Sequence, residues 1–216
     1  MDNIHYSVKR AASYDEHHDK SLRNRLTTWR ERQCLRKALQ QAHPLSTVLD
    51  LPCGTGRFAA ALEGIELKHL IMADNSPGML ERAANRVSRA EFSVETRQLS
   101  AFEIDLADDS VDFIACMRFF HHLAYAEDRQ QVLAEFRRIS TGMVAISLWV
   151  DGNLGARRRM RKPETTKTKG FGRRRVIKRQ LIEGEFAAAG YEIVRHWDMW
   201  PGVTMWRQYL LRPVQS

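Results

Sequence analysis

Cysteine is scarce in this sequence and cannot be paired off: Cys34, Cys53 and Cys116 are the only three in 216 residues. Their odd number and wide spacing give neither the close pairs of a zinc site nor the density of a disulfide scaffold, which leaves reduced thiols packing as small apolar residues. Long apolar runs are missing too, and none approaches the ~20 residues that span a bilayer. The opening segment, MDNIHYSVKRAASYDEHH, has no apolar stretch of the kind that directs export, so the expected address is cytoplasmic. Internal repeats are absent. A chain of this length holds one core better than two, so the expectation is a single domain over 1–216, with a helical cap over 1–44 and a basic insertion over 151–175.

Acids are missing from one place in particular. Between Arg157 and Arg179 twelve Lys and Arg residues stand against Glu164 alone, a local charge of +11 that leaves the rest of the chain at −3 within a net +8. The protein is therefore basic at one site and not over its whole surface. That pattern points either to an anionic partner at this segment or to a solvated loop.

Hydrophobic periodicity gives the architecture. Leu22, Leu26, Trp29, Cys34, Leu35, Ala38 and Leu39 recur at helical spacing after Ser21 and before Pro44, which predicts a helix ahead of the first strand. Thr47–Leu51 reads as a strand that passes through a glycine turn into a helix at Phe58–Leu62. His69–Ala73, Phe92–Leu99, Val111–Met117 and Gly142–Val150 read as further strands, with helices at Pro77–Arg89 and Ala126–Ile139 between them. This alternation predicts an α/β, doubly wound, mostly parallel seven-stranded sheet with helices on both faces. The segment from Asp151 to Arg173 is too polar to bury and reads as a loop. Beyond it come a helix at Val176–Ala189 and strands at Tyr191–Trp197 and Met205–Leu211, which form an antiparallel C-terminal edge around Pro201–Gly202.

The run Val48-Leu49-Asp50-Leu51-Pro52-Cys53-Gly54-Thr55-Gly56-Arg57-Phe58 ends a strand with an acid and crosses two glycines. Glycines there let a ligand approach the backbone closely. A second strand ends at Ala73-Asp74 with an acid placed for a ribose diol, and the third glycine of a dinucleotide fingerprint is replaced by Ala59. Asp74 is alternatively a cap for the helix from Pro77.

From about Val48 to Val150 the chain resembles the class I, Rossmann-like S-adenosylmethionine-dependent methyltransferases, in their small-molecule branch. Asp50 to Gly56 is similar to that family's first motif. Ala73-Asp74-Asn75-Ser76-Pro77-Gly78-Met79-Leu80 is similar to the second, and Asp108 to Ile114 with Phe120-His121-His122-Leu123 to the region of the fourth strand. The resemblance implies S-adenosylmethionine as cofactor and no metal, with Asp50, Pro52, Cys53, Gly54, Gly56, Asp74, Asn75, Met79, Ser100, Ala101 and Met117 around it. Ser100 stands where the family usually has an acid for the adenine amino group, leaving the Ala101 backbone for that contact. Arg30 is a candidate for the methionine carboxylate, and Tyr14 and Arg25 for closing over the cofactor; both arginines read equally as a solvated helix face.

On the acceptor side, Arg118 and the pair His121 and His122 follow the fourth strand at the ligand-binding edge of the sheet. Either histidine is placed to take a proton from an acceptor, or to pack or cap the next helix. Tyr14, Arg118, Trp149, Arg173, Arg174 and Arg175 complete the candidate acceptor site. The expected reaction is methyl transfer to an O or N atom of a small-molecule or lipid-linked, anionic acceptor. RNA on the basic segment is the second reading, and a non-catalytic S-adenosylmethionine-binding protein the third. The oligomeric state is not legible from the sequence.

Overall fold

The computed structural model describes residues 22–87, 91–161 and 174–214. In chain order its elements are α1 (Leu22–Ala42), β1 (Thr47–Asp50), β2 (His69–Asp74), α2 (Pro77–Arg86), β3 (Ser93–Gln98), β4 (Val111–Cys116) and α3 (Ala126–Ile139). They continue with β5 (Ser140–Trp149), α4 (Leu154–Met160), α5 (Arg179–Ala188), β6 (Tyr191–Asp198) and β7 (Trp206–Pro213). Single 3-10 turns lie at Ala59–Ala61 and Phe120–His122.

The seven strands form one sheet in the order β3-β2-β1-β4-β5-β7-β6. The first five are parallel, and β7 runs antiparallel to both β5 and β6. The doubly wound sheet with an antiparallel edge is the predicted one. Because β1 is followed by β2 on one side and has β4 on the other, the chain reverses its direction of winding between β1 and β4. A cleft opens at the carboxyl ends of the strands at such a point.

Both faces of the sheet are covered. One core holds Leu49, Ile71, Ile114 and Ile146 with Leu133 and Phe136 of α3 and Phe186 of α5. The other holds Val48, Leu70, Met72 and Phe113 with Leu35, Ala38 and Leu39 of α1. Alternate strand residues point to opposite faces, which is why successive positions of β1 divide between the two. Arg129 of α3 and Glu185 of α5 form a buried bidentate pair, Nε–Oε2 and Nη2–Oε1 each 2.6 Å, while Nη1 donates to Leu123 O.

Three features depart from the sequence reading. The helix expected at Phe58–Leu62 is only the 3-10 turn Ala59–Ala61, since Gly64, in the left-handed region at φ +67°, breaks the chain a few residues later. The expected loop from Asp151 begins instead as α4, where the Asn153 side chain caps by accepting from Ala156 N at 2.8 Å. In α1 the predicted apolar face divides: Cys34, Leu35, Ala38 and Leu39 are buried, whereas Leu22, Leu26 and Trp29 are exposed.

Candidate cofactor and acceptor site

The β1 chain is extended past Asp50 by two backbone bonds, Leu51 N to Ala115 O and Cys53 N to Ala73 O, so the loop leaves from between β2 and β4. Gly54 and Gly56 both have positive φ, +55° and +73°. Their surroundings differ. A Cβ on Gly56 would lie 3.0 Å from Ala83 Cα and 3.1 Å from Met72 Cε, so this glycine lets the loop settle on α2 and β2. A Cβ on Gly54 would meet nothing within 4 Å, so there the backbone faces open space at the cleft.

Asp74 closes the loop from the β2 side. Its Oδ2 accepts from Gly54 N at 2.9 Å and its Oδ1 from Ser76 N at 2.9 Å. Burial raises its pKa above the ordinary carboxylate value, and the N–H groups of Ser76, Gly54 and Asn75 hold it back. Asp74 thus anchors both the turn and the loop, and keeps lone-pair capacity for a further donor. Asp50 lies beneath, with Oδ1 buried and without a hydrogen-bond partner. Burial, and then the neighbouring Asp74 charge, push its pKa up to about 8.

The remaining cofactor candidates lie on the loop and beyond the ends of β2, β3 and β4, with Arg30 on α1. Pro52 and Cys53 belong to the loop, Met79 is buried in the first turn of α2, and Met117 is buried just beyond β4. Asn75 is exposed, and its carbonyl accepts from Gln98 Nε2. Beyond β3, Ser100 Oγ accepts from Phe102 N, and Ala101 is buried beside it. Burial raises the thiol pKa of Cys34, Cys53 and Cys116 alike, in keeping with a packing role. Arg30 lies over the Trp200 ring at 5.3 Å, in the turn between β6 and β7, and Arg25 is exposed. Tyr14 and Arg173 lie outside the described residues.

On the far side of the cleft the chain leaves β4 through Arg118, at φ +58°. Its guanidinium is committed to Glu31 and Thr28 of α1 and stacks over Phe58 and Trp206, 5.6 and 5.2 Å from their ring centres. Arg118, a candidate for the acceptor, thus ties the first helix to the end of β4. His121 is buried, stacked on Trp149 at 4.8 Å and set against the edge of Trp206 at 4.9 Å. Burial, then His122, Arg174 and Arg118, drive its pKa well below that of an ordinary histidine, so it is held neutral. His121 Nδ1 and Trp149 Nε1 are both buried without a hydrogen-bond partner. Arg159 and Arg174 each lie 5.8 Å from the Trp149 ring, and Arg175 N donates to His121 O at 2.7 Å.

The basic segment therefore departs from and returns to the same tryptophan, beside the histidine pair. Glu31, Trp206 and Arg159 were not among the candidates drawn from the sequence. Trp206 had a legible signal, because pairing the antiparallel strands sets it opposite Trp149.

Residues 48–141 match the methyltransferase-domain family model. An uncharacterized methyltransferase-like protein of Schizosaccharomyces pombe is 35% identical over 88 residues, 40% of this chain and 32% of that protein. The demethylmenaquinone methyltransferase of Deinococcus radiodurans is 32% identical over 101 residues, 46% of this chain and 41% of that protein. The matched region thus spans well under half the length of these relatives. A solved S-adenosylmethionine-dependent methyltransferase from Clostridium acetobutylicum superimposes with a TM-score of 0.73 over 94% of this chain and 99% of its own, at 14% identity. The magnesium protoporphyrin IX methyltransferase of Synechocystis, solved with bound SAH, gives 0.66 over 89% and 88%, also at 14% identity. The strand order, the glycine loop and the acid closing that loop accompany these matches: residues 48–141 resemble a methyltransferase domain, and the chain shares the fold of solved S-adenosylmethionine-dependent methyltransferases.

Proposed function

We propose that the protein transfers a methyl group from S-adenosylmethionine to an O or N atom of a small-molecule or lipid-linked, anionic acceptor. The observation that carries the acceptor class is the pair of arginines, Arg159 and Arg174, both set on Trp149 beside His121.

The residues present fit the cofactor. Gly54 faces open space, Asp74 retains acceptor capacity for a hydroxyl, and Met79 and Met117 are buried apolar residues at the start of α2 and the end of β4. When bound, S-adenosylmethionine supplies an electrophilic methyl on a sulfonium. The chain's own part is positioning, because such a transfer chiefly needs the acceptor atom held in line with the bond that breaks. His121, kept neutral, retains a lone pair for an acceptor proton, and Arg174 and Arg175 supply the positive charge that would hold an anion near it. The demethylmenaquinone methyltransferase relative, whose name gives a quinone-type acceptor, agrees with a small or lipid-linked acceptor. RNA on the basic segment is the competing reading, supported by the charge count between Arg157 and Arg179.

Methyl-labelled S-adenosylmethionine, incubated with the protein and a cell extract that is then partitioned, separates the two. Label in the organic or small-molecule fraction, lost in Arg174→Gln/Arg175→Gln with cofactor affinity retained, supports the proposal. Label confined to RNA overturns it in favour of the second reading.

A further inference from the structure

Of the eleven large apolar side chains exposed among the described residues, six lie on α1, α4 and the β6–β7 turn. The first turn of α4 is tied to the β6–β7 turn by two backbone bonds, Leu154 N to Gly202 O at 3.0 Å and Gly155 N to Val203 O at 2.9 Å. On this joint Leu154, Met160 and Val203 are 50%, 64% and 52% exposed. The same turn holds Trp200 against Arg30 of α1. On α1, Leu22, Leu26 and Trp29 follow one another at i, i+4 and i+7, so they share a stripe, and they are 75%, 52% and 56% exposed. Interleaved with the aliphatic residues of α4 are Arg157, Arg158, Arg159 and Arg161, all exposed. No acid occurs in α4.

We propose that α4, the β6–β7 turn and the exposed stripe of α1 form a surface that docks on an anionic lipid bilayer, bringing the mouth of the site to the lipid–water interface. Three features select this partner. Arginines whose long stems flank exposed Leu and Met can hold their charges at headgroup level while the aliphatic groups enter the acyl boundary. The charge is of one sign, complementary to a leaflet of anionic lipid. The aliphatic groups argue against RNA, since phosphate contacts would use the arginines and leave Leu154, Met160 and Val203 in water. The position also matters: Arg159 reaches from this surface onto Trp149, so it adjoins the candidate acceptor site.

The test is co-sedimentation of the full chain with vesicles of phosphatidylcholine alone, or of phosphatidylcholine with one third phosphatidylglycerol, at low and high salt, with binding of a labelled RNA oligonucleotide measured in parallel. The wild type should pellet with the anionic vesicles and stay in solution with the neutral ones. Leu154→Ser/Met160→Ser, and separately Arg157→Gln/Arg158→Gln/Arg161→Gln, should each weaken partition at least about ten-fold. Retained S-adenosylhomocysteine binding certifies that each exposed-site variant is folded. Equal behaviour with both vesicle types, or partition that survives both variants, overturns the proposal. So does binding to RNA without binding to vesicles. None of these outcomes bears on methyl transfer, which is tested separately.

Discussion

Arg118 and Glu31, 87 residues apart in the chain, form an ion pair that joins α1 to the end of β4. The Glu31 side chain is fully buried and that of Arg118 is 10% exposed. Thr28 takes a further guanidinium contact at 3.0 Å. Removing one partner of a buried pair leaves the other charge uncompensated. Glu31→Ala is therefore expected to destabilise the fold by about 3–5 kcal/mol in chemical denaturation. Glu31→Leu combined with Arg118→Met should recover much of that loss, because an apolar pair of similar volume carries no buried charge. A single substitution as stable as the wild type would mean that the pair contributes nothing net to stability.

The two loop glycines should separate experimentally. Gly56→Ala places a Cβ against Ala83 and Met72 at positive φ and should cost about 1–3 kcal/mol of stability. Gly54→Ala meets open space, so its cost is limited to the backbone conformation, about 1 kcal/mol. Its larger effect should fall on cofactor affinity, read by calorimetry. Equal losses of stability at both positions would contradict this division.

Asp50 should make stability fall as pH rises. Its pKa in the folded chain, about 8, lies above the ordinary 3.8. The protonated form is therefore favoured by folding. The stability it contributes is complete below about pH 3.8 and is lost as pH rises through 8, where the folded chain must also give up the proton. Asp50→Asn mimics the protonated acid and should flatten that decline, gaining on the order of 6 kcal/mol at pH 9, since each pH unit between the two pKa values is worth about 1.4 kcal/mol. Denaturation midpoints of the two proteins from pH 5 to 9 measure it; parallel curves would place Asp50 in contact with water or a cation.

Much of this was legible in the sequence because it rests on local chemistry. The parallel strands show as short apolar runs between helical periods, and the glycine loop with Asp50 and Asp74 at two strand ends marks the cleft. The rest depended on contacts between distant residues. Nothing local marks Glu31 as the partner of Arg118, or Glu185 as that of Arg129, since both pairs are made only when helices close on the sheet. The turn at Ala59–Ala61 has helix-forming residues, but Gly56 before it and Gly64 after it leave too few positions to propagate a helix. The α4 helix was hidden by its charge, although Asn153 at its start was a readable cap.

The central claim is that the cleft beside Asp74 holds S-adenosylmethionine, and the most direct measurement is calorimetric titration of the purified protein with S-adenosylhomocysteine and, separately, with NAD. The account predicts that S-adenosylhomocysteine binds more tightly, since the third dinucleotide glycine is replaced by Ala59. It also predicts that Asp74→Ala weakens that binding by a few kcal/mol at most, the hydrogen bonds to a charged group being worth about 1.5–3 kcal/mol each. Tighter binding of NAD, or an affinity for S-adenosylhomocysteine unchanged in a folded Asp74→Ala protein, would contradict it.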